Sequence, residues 1–397
     1  MMEKNENGSR GNILYTILQY LSALSCVSIF VLLGLGFNAD VIGAAVVTMF
    51  ISLAIGVRGT DSVLRDFAFS IWVFASVAAA MFYPAPFTEL GGVELSVFIV
   101  PLIQIIMFGM GTSLSIQDFV GVVKMPKGVI VGLICQFTIM PVLGITLALS
   151  FGFSAEIAAG VVLVGSSPSG VASNVMTYIA GANLALSVTL TAIGTLLAPL
   201  ATPFLMQLLA GQFVPIDFLE MMWSIINMII LPVVLGVLFN RYLHGKAQWL
   251  DDIMPTISMT GIVVILGIMT AGGRDSILTL GFLIIVAGVI HNLAGYFFGY
   301  WGCRLSGLDE KSCRTIAFEV GMQNAGMASG IAVEMGKIAT VGVPSVIFGS
   351  WMNVSGSALA NWWRRKALVE ETEQGDATGS AKEGTKASEV VDTDSDN

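Results

Sequence analysis

From residue 12 to residue 363 the chain is a succession of long apolar runs separated by short polar or glycine-rich breaks. A bilayer core is about 30 Å thick and a helix rises about 1.5 Å per residue, so a spanning helix needs roughly 20 apolar residues. The breaks cut the chain into twelve runs of that size. Two come first, at about 12–37 and 40–57. Ten follow, at about 64–84, 98–117, 128–151, 155–180, 183–210, 218–241, 253–271, 277–303, 312–336 and 340–363. The pattern predicts an all-α polytopic membrane protein: a ten-helix body preceded by a two-helix hairpin.

The distribution of positive charge tests this tiling, because cytoplasmic loops collect Lys and Arg. With the N-terminus placed in the cytoplasm, that side receives Lys4, Arg10, Arg58, Arg65, Lys124, Lys127, Arg241, Lys246, Arg304, Lys311, Arg314, Arg364, Arg365 and Lys366. The other side receives only Arg274 and Lys337. The expectation is a multi-pass protein of a cell (inner) membrane with both termini cytoplasmic. The first apolar run is too long for the h-region of a signal peptide, so it reads as a retained span.

The body divides near residue 214 into two sets of five spans. An odd number per half makes the second half enter from the opposite side, the inverted repeat of many secondary transporters. The expected segments are residues 1–11 as a cytoplasmic N-terminus and 12–60 as the extra hairpin. Residues 61–213 form the first repeat, 214–366 the second, and 367–397 a disordered acidic cytoplasmic tail.

Composition agrees with this picture. Of 397 residues, 55% are hydrophobic and 11% charged, against roughly 25% charged in a soluble domain. Mean hydropathy is +0.84. The net charge of −9 sits mostly after Ala367, where nine acids face two lysines, so it implies no nucleic-acid partner. Two histidines exclude a His-rich metal site. No His-Glu-x-x-His, phosphate-loop or Gly-x-Ser-x-Gly motif is present, so no enzyme is expected. No ATP-hydrolysing domain is present either, so uphill transport must draw on an ion gradient. Cys26, Cys135, Cys303 and Cys313 read as small hydrophobes without a disulfide.

Two segments break the apolar pattern at corresponding places in the two halves. One is Gly165-Ser166-Ser167-Pro168-Ser169-Gly170-Val171-Ala172-Ser173-Asn174, and the other is Glu319-Val320-Gly321-Met322-Gln323-Asn324-Ala325-Gly326. Proline and glycine free backbone groups that lipid cannot satisfy, so such breaks must face protein, water or ligand. Paired broken helices are the best sequence pointer to a transporter's binding site. Glu319 lies inside an apolar helix with no basic residue in these half-helices, which suits a monovalent cation or a proton as its partner. Several other residues have plain readings. Ser187 and Thr191 are four apart on one face and read as helix-packing hydroxyls, and Gln136 reads as an interhelical hydrogen bond. Gly295-x-x-x-Gly299 reads as close helix packing. His291 and Asn292 read as a hydrogen-bonded structural pair, with a proton relay as the rival. Glu156 favours a helix N-terminus.

At these motifs the sequence resembles the bile acid:sodium symporter family, especially its bacterial members. The matching stretches are MFGMGTSLSIQDF (107–119), GSSPSGVASNVMTYIAGANLALSVTLTAIGTLLAPLATP (165–203), HNLAGY (291–296) and EVGMQNAGMASGIA (319–332). The resemblance covers about residues 64–366. It implies ten helices in two inverted five-helix repeats, with helices 4 and 9 broken and crossing, and a core moving against a panel for alternating access. It implies one sodium site at Ser173, Asn174, Ser187, Thr191 and Glu319. It implies a second at Gln136, Glu319, Val320, Met322 and Gln323, where Val320 and Met322 act through their carbonyls. Ser187, Thr191 and Gln136 thereby gain a role beyond packing. The implied substrate cleft lies near Val171, Ala172, Asn324 and Asn353. Val171 departs from the threonine of several relatives, and Met352 from the histidine of similar bacterial members, which leaves the substrate open among bile-acid-like, pantoate-like and keto or hydroxy acids. The implied function is sodium-coupled symport of an organic anion, with Na+ as coupling ion, no cofactor, and lipid as the surroundings. A proton-coupled carrier and a non-transporting sensor are the rivals, and the oligomeric state is open.

Overall fold

The computed structural model describes residues 2–59, 67–115, 121, 123–243 and 248–366. The expected acidic tail at 367–397 lies outside the described residues. The described parts of all twelve apolar runs are mainly helical, and two of the runs are interrupted. They comprise α1 (Met2–Gly34), α2 (Ala39–Gly56), α3 (Ala68–Phe82), α4 (Ile99–Ser113), α5 (Pro126–Ser150), α6 (Ala155–Ser166), α7 (Val171–Ile179) and α8 (Leu184–Leu205). There follow α9 (Phe218–Ile225), α10 (Leu231–Leu243), α11 (Gln248–Gly272), α12 (Arg274–Leu305), α13 (Glu310–Gly321), α14 (Ala325–Glu334) and a last helix, α15, over 343–366. Among the described residues, eight helical stretches are long and apolar enough to cross a membrane. The chain is therefore an all-α polytopic membrane protein.

Helix ends differ from the expectation where polar residues extend a helix beyond the apolar run. Thus α1 starts at Met2 and not near residue 12, since adding residues to an existing helix costs little. Proline at the start of α5 sits where its missing N–H is harmless. Asn183, Asp217, Asp309 and Asn324 each cap the helix that follows by accepting a backbone N–H. Pro199 and Pro203 lie inside α8, and a π-helical turn over Met206–Ala210 follows. A two-residue hairpin pairs Glu89–Leu90 with Val93–Glu94. Its turn residues Gly91 and Gly92 both have positive φ, the conformation that tight hairpins need and glycine adopts freely.

Two groups of helices pack around a cleft. In one, α4 lies against α10 and α11, and α11 against α3. In the other, α5, α8, α12 and α13 pack together, and α6 joins through α5. The hairpin α1–α2 leans on α3 through α2. Large apolar side chains such as Leu24, Phe30 and Phe282 point outward, as expected where lipid is the solvent. All four cysteines are free, as expected.

The close packing expected at Gly295 and Gly299 is present. A Cβ on Gly295 would lie 2.8 Å from the Gly321 Cα, and one on Gly299 would lie 2.9 Å from the Val320 Cβ. These two glycines let α12 touch the end of α13. Replacing Gly295 with alanine should therefore destabilise the protein by about 1–3 kcal/mol, because backbone must shift to admit the methyl group. Gly34→Ala, which meets nothing within 4 Å, is the control. Thermal unfolding in detergent should show a lower midpoint for the first and no clear loss for the second.

Candidate functional site

Both expected interruptions are real. Helix α6 stops at Ser166, and Ser167 is extended with φ −79° and ψ 149°, as the residue before a proline prefers. Helix α13 stops at Gly321, and Met322 has φ −109° and ψ 92°. No proline causes this second break. Gly321 is required there because a Cβ would sit 2.2 Å from the Tyr296 ring.

The two breaks satisfy one another. Gly170 N donates to Met322 O at 3.1 Å, and Asn324 N donates to Pro168 O at 2.8 Å. Ser169 and Gln323 form an antiparallel bridge. Backbone freed by unwinding is thus paired across the crossing, which membrane depth demands. The crossing leaves two half-helix C-termini, those of α6 and α13, and two N-termini, those of α7 and α14. Each end carries roughly half an elementary charge, negative at a C-terminus and positive at an N-terminus.

Glu319, in the last turn of α13, is buried at 2% exposure. Ser173 Oγ donates to its Oε1 at 2.7 Å and Ser187 Oγ to the same oxygen at 2.5 Å. Ser169 Oγ donates to Oε2 at 2.6 Å and Thr191 Oγ1 at 3.0 Å. Asn174 Oδ1 lies 2.7 Å from Ser187 Oγ and 3.2 Å from Thr191 Oγ1. Ser173, Asn174, Ser187, Thr191 and Glu319 therefore share one buried cluster. Ser169 joins it, although sequence reading assigned it no role. Thr177 Oγ1 stands behind it, 3.2 Å from Ser187 Oγ. Ser187 Oγ has three acceptors in reach and one proton to give, so oxygens here outnumber the protons that can bridge them.

Glu319 has no basic partner among the described residues. Among the described residues the ion pairs are Arg274–Asp275, Arg314–Glu310 and Lys337–Glu156. Glu156, expected only to favour a helix start, thus holds Lys337. No described group of His, Cys, Asp and Glu is arranged for a transition metal. One carboxylate among neutral oxygens suits a hard, singly charged cation.

The second predicted set gathers around Gln136 and the unwound end of α13. Gln136 Nε2 donates to Gln323 Oε1 at 2.6 Å and to Ser167 O at 2.9 Å. Those two acceptors fix the amide orientation, and Gln136 Oε1 is left buried without a partner. Gln136, Ser169 and Glu319 line a cavity of about 10 Å³, the size of one water-like body. Gln323 Nε2 donates to Val320 O at 2.5 Å, and Met322 O takes the bond from Gly170 described above. All five predicted residues thus gather at the crossing.

The predicted substrate residues divide. Val171, Ala172 and Asn353 line a cleft of about 330 Å³ between α7 and α15 on one side and α3, α4 and α11 on the other. Asn324 is not among its lining residues; its Oδ1 caps α14 by accepting from Met327 N at 2.9 Å. Met352 is buried, and its sulfur accepts from Gln323 N at 3.2 Å. The cleft is mainly apolar, with Met110, Met176, Met254 and Met259 around the N-terminal end of α7. No lysine or arginine is among its lining residues. The groups there that can meet a charge are the N-terminal end of α7 and the neutral polar side chains of Ser113, Ser258, Asn353 and Ser357.

His291 and Asn292 are not bonded to each other, contrary to the paired reading. His291 Nε2 lies 3.2 Å from Met140 O, and Asn292 Nδ2 donates to Gly321 O at 2.8 Å. Neighbouring residues on a helix point in different directions and rarely share a partner face.

In cation-free buffer, Glu319→Gln should melt at or above the wild-type temperature, because it removes a buried charge with no countercharge. A lower midpoint in choline chloride would contradict that account.

The family model described as Sodium Bile acid symporter family matches residues 100–280. The uncharacterized sodium-dependent transporter YocS of Bacillus subtilis is 39% identical over 298 residues, covering 75% of this chain and 91% of the relative. The probable sodium/metabolite cotransporter BASS1, chloroplastic, of Arabidopsis thaliana is 34% identical, covering 76% of this chain and 74% of the relative. The ileal sodium/bile acid cotransporter of Homo sapiens is 32% identical over 62% of this chain and 71% of its own length.

Proposed function

This chain belongs to the sodium bile acid symporter family, and on that premise we propose that it carries an organic anion across the membrane together with sodium. The observation that carries the reading is Glu319: a buried carboxylate with four hydroxyl donors, no basic partner among the described residues, and a water-sized cavity beside it. One sodium ion takes Glu319 with Ser173, Asn174, Ser187 and Thr191. A second takes Glu319 with Gln136, Gln323 and the carbonyls of Val320 and Met322. The bare Gln136 oxygen supports this second site.

Charge supports a stoichiometry of two sodium ions to one monoanion. One carboxylate and two half-helix C-termini supply about two negative charges, and two half-helix N-termini supply about one positive charge. Each cycle then moves one net positive charge, worth about 2.3 kcal/mol per 100 mV of membrane potential. In the proposed cycle the group holding α5–α8 and α12–α15 rocks against α3, α4 and α9–α11. The two groups draw on inverted repeats at 61–213 and 214–366, with both termini in the cytoplasm. The organic anion lies in the apolar cleft, with its carboxylate toward Val171 and Ala172 at the start of α7 and near Asn353. Asn324 contributes through the N-terminus of α14.

Proteoliposomes screened with a panel of carboxylates should accumulate one of them only under an inward sodium gradient, faster with the interior negative. Glu319→Ala should abolish that uptake, and normal uptake by this variant would refute the assignment. Equal uptake driven by a pH gradient in potassium buffer would instead show proton coupling. A folded protein that binds but never accumulates a carboxylate would be a sensor.

Gln136→Leu removes only the second proposed site. Sodium-dependent uptake should lose its sigmoidal sodium dependence, with the Hill coefficient falling to about one.

A further inference from the structure

The end of α13 depends on a chain of hydrogen bonds from outside the two broken helices. Asn292, fully buried on α12, donates from Nδ2 to Gly321 O at 2.8 Å. This carbonyl is one of the orphans at the α13 C-terminus, since Ala325 N, its helical partner four residues on, bonds Gln323 O instead. Ser355 Oγ, on α15, donates to Asn292 Oδ1 at 2.6 Å. Tyr296 OH lies 3.2 Å from Ser355 Oγ. Asn292 cannot turn its amide over without setting Oδ1 against a carbonyl oxygen. The direction of the chain is therefore fixed: Tyr296 to Ser355, Ser355 to Asn292, Asn292 to Gly321. Hydrogen bonds that run head to tail in a dry interior strengthen one another.

The chain grips a peptide with proposed sodium ligands on both sides. Val320 precedes Gly321 and Met322 follows it. Asn292 and Tyr296 lie one turn apart on α12, so the first holds the Gly321 carbonyl while the ring of the second packs where a Cβ would be. Ser355 also connects this grip to the cleft, because Asn353 and Ser357 on the same helix line it. Helix α15 touches the unwound segment a second time, where Met352 accepts from Gln323 N.

We propose that Asn292, aligned by Ser355 and Tyr296, is a positioning residue for the second cation site, holding the Gly321 peptide so that the Val320 and Met322 carbonyls stay aimed at the ion. Through Ser355 it also links the cleft-lining helix to that site. The proposal rests on the sodium reading above and deepens it.

The test uses the full-length protein in detergent, with sodium chloride titrated against choline chloride at constant ionic strength and the melting temperature as readout. Asn292→Ala should raise the sodium half-saturation by about tenfold or more, the usual effect of removing a group that orients metal ligands. Ser355→Ala should raise it by about threefold, the worth of one hydrogen bond, while Ser355→Thr keeps the hydroxyl and should stay near wild type. A merely structural role would lower the melting temperature in choline for Asn292→Ala and leave the half-saturation unmoved, and that result would overturn the proposal. If Asn292→Ala does not fold, the serine pair decides: equal half-saturation for Ser355→Ala and Ser355→Thr would overturn it. A wild-type protein that responds to no sodium concentration would sink the sodium reading itself, and this proposal with it.

Discussion

A carboxylate buried in the membrane and paired with no basic side chain among the described residues is the constraint around which the rest of this protein is arranged. Glu319 sits at 2% exposure, and bare burial of such a charge costs several kcal/mol. The fold meets the cost with hydroxyl groups drawn from two separate places. Ser169 and Ser173 come from the first break and the start of α7, and Ser187 and Thr191 from α8. They reach Glu319 only because the breaks cross, and the breaks can cross only because each gives the other the backbone partners it lacks. Glycine at 295, 299 and 321 then lets α12 close onto the crossing.

Under the proposed function the hydroxyls serve in two situations. As donors, the four O–H groups of Ser169, Ser173, Ser187 and Thr191 satisfy the Glu319 carboxylate at 2.5 to 3.0 Å. As ion ligands, the same oxygens would turn their protons away, spread from the carboxylate and offer lone pairs. A lysine or arginine in place of the hydroxyls would neutralise Glu319 permanently and leave an ion nothing to bind. That no described ion pair includes Glu319 is thus what the proposed function requires.

The architecture was largely legible in the sequence because lipid enforces it. Twelve apolar runs became helices since nothing else can span a bilayer. Pro168 announced the first break, and Glu319 announced the need for a partner. Three things were not legible. Ser169 lies between Pro168 and Gly170, where the backbone is unwound and no helical period tells which way a side chain points. Asn324 looked like a cleft residue by resemblance, but its side chain is engaged in capping α14. Asn292 looked like the partner of His291 by adjacency, whereas helical geometry sends the two toward different neighbours. Residue type and spacing predict which groups share a helix face; they do not predict which carbonyl a neighbouring helix will leave open.

The cleft carries the argument a step further. Under the proposed function, the groups that meet the substrate's charge are the start of α7 and the Asn353 amide, which are worth less than a lysine or arginine and neutralise it only in part. Its walls are methionine and other apolar side chains, which adapt to shape better than they select it. In the proposed cycle, weak neutralisation favours release on the far side, and sodium supplies what the cleft lacks: with two ions at the crossing, the field at the N-terminus of α7 becomes more favourable to an anion. Sodium would then raise anion affinity through the electrostatics of one shared crossing, with no need for a separate conformational signal. The distance involved is short, since Glu319 bonds Ser173, the third residue of α7, while Val171 and Ala172 immediately before it line the cleft. In the proposed cycle, coupling reduces to three consecutive residues at one helix end, two facing the cleft and one bonded to Glu319.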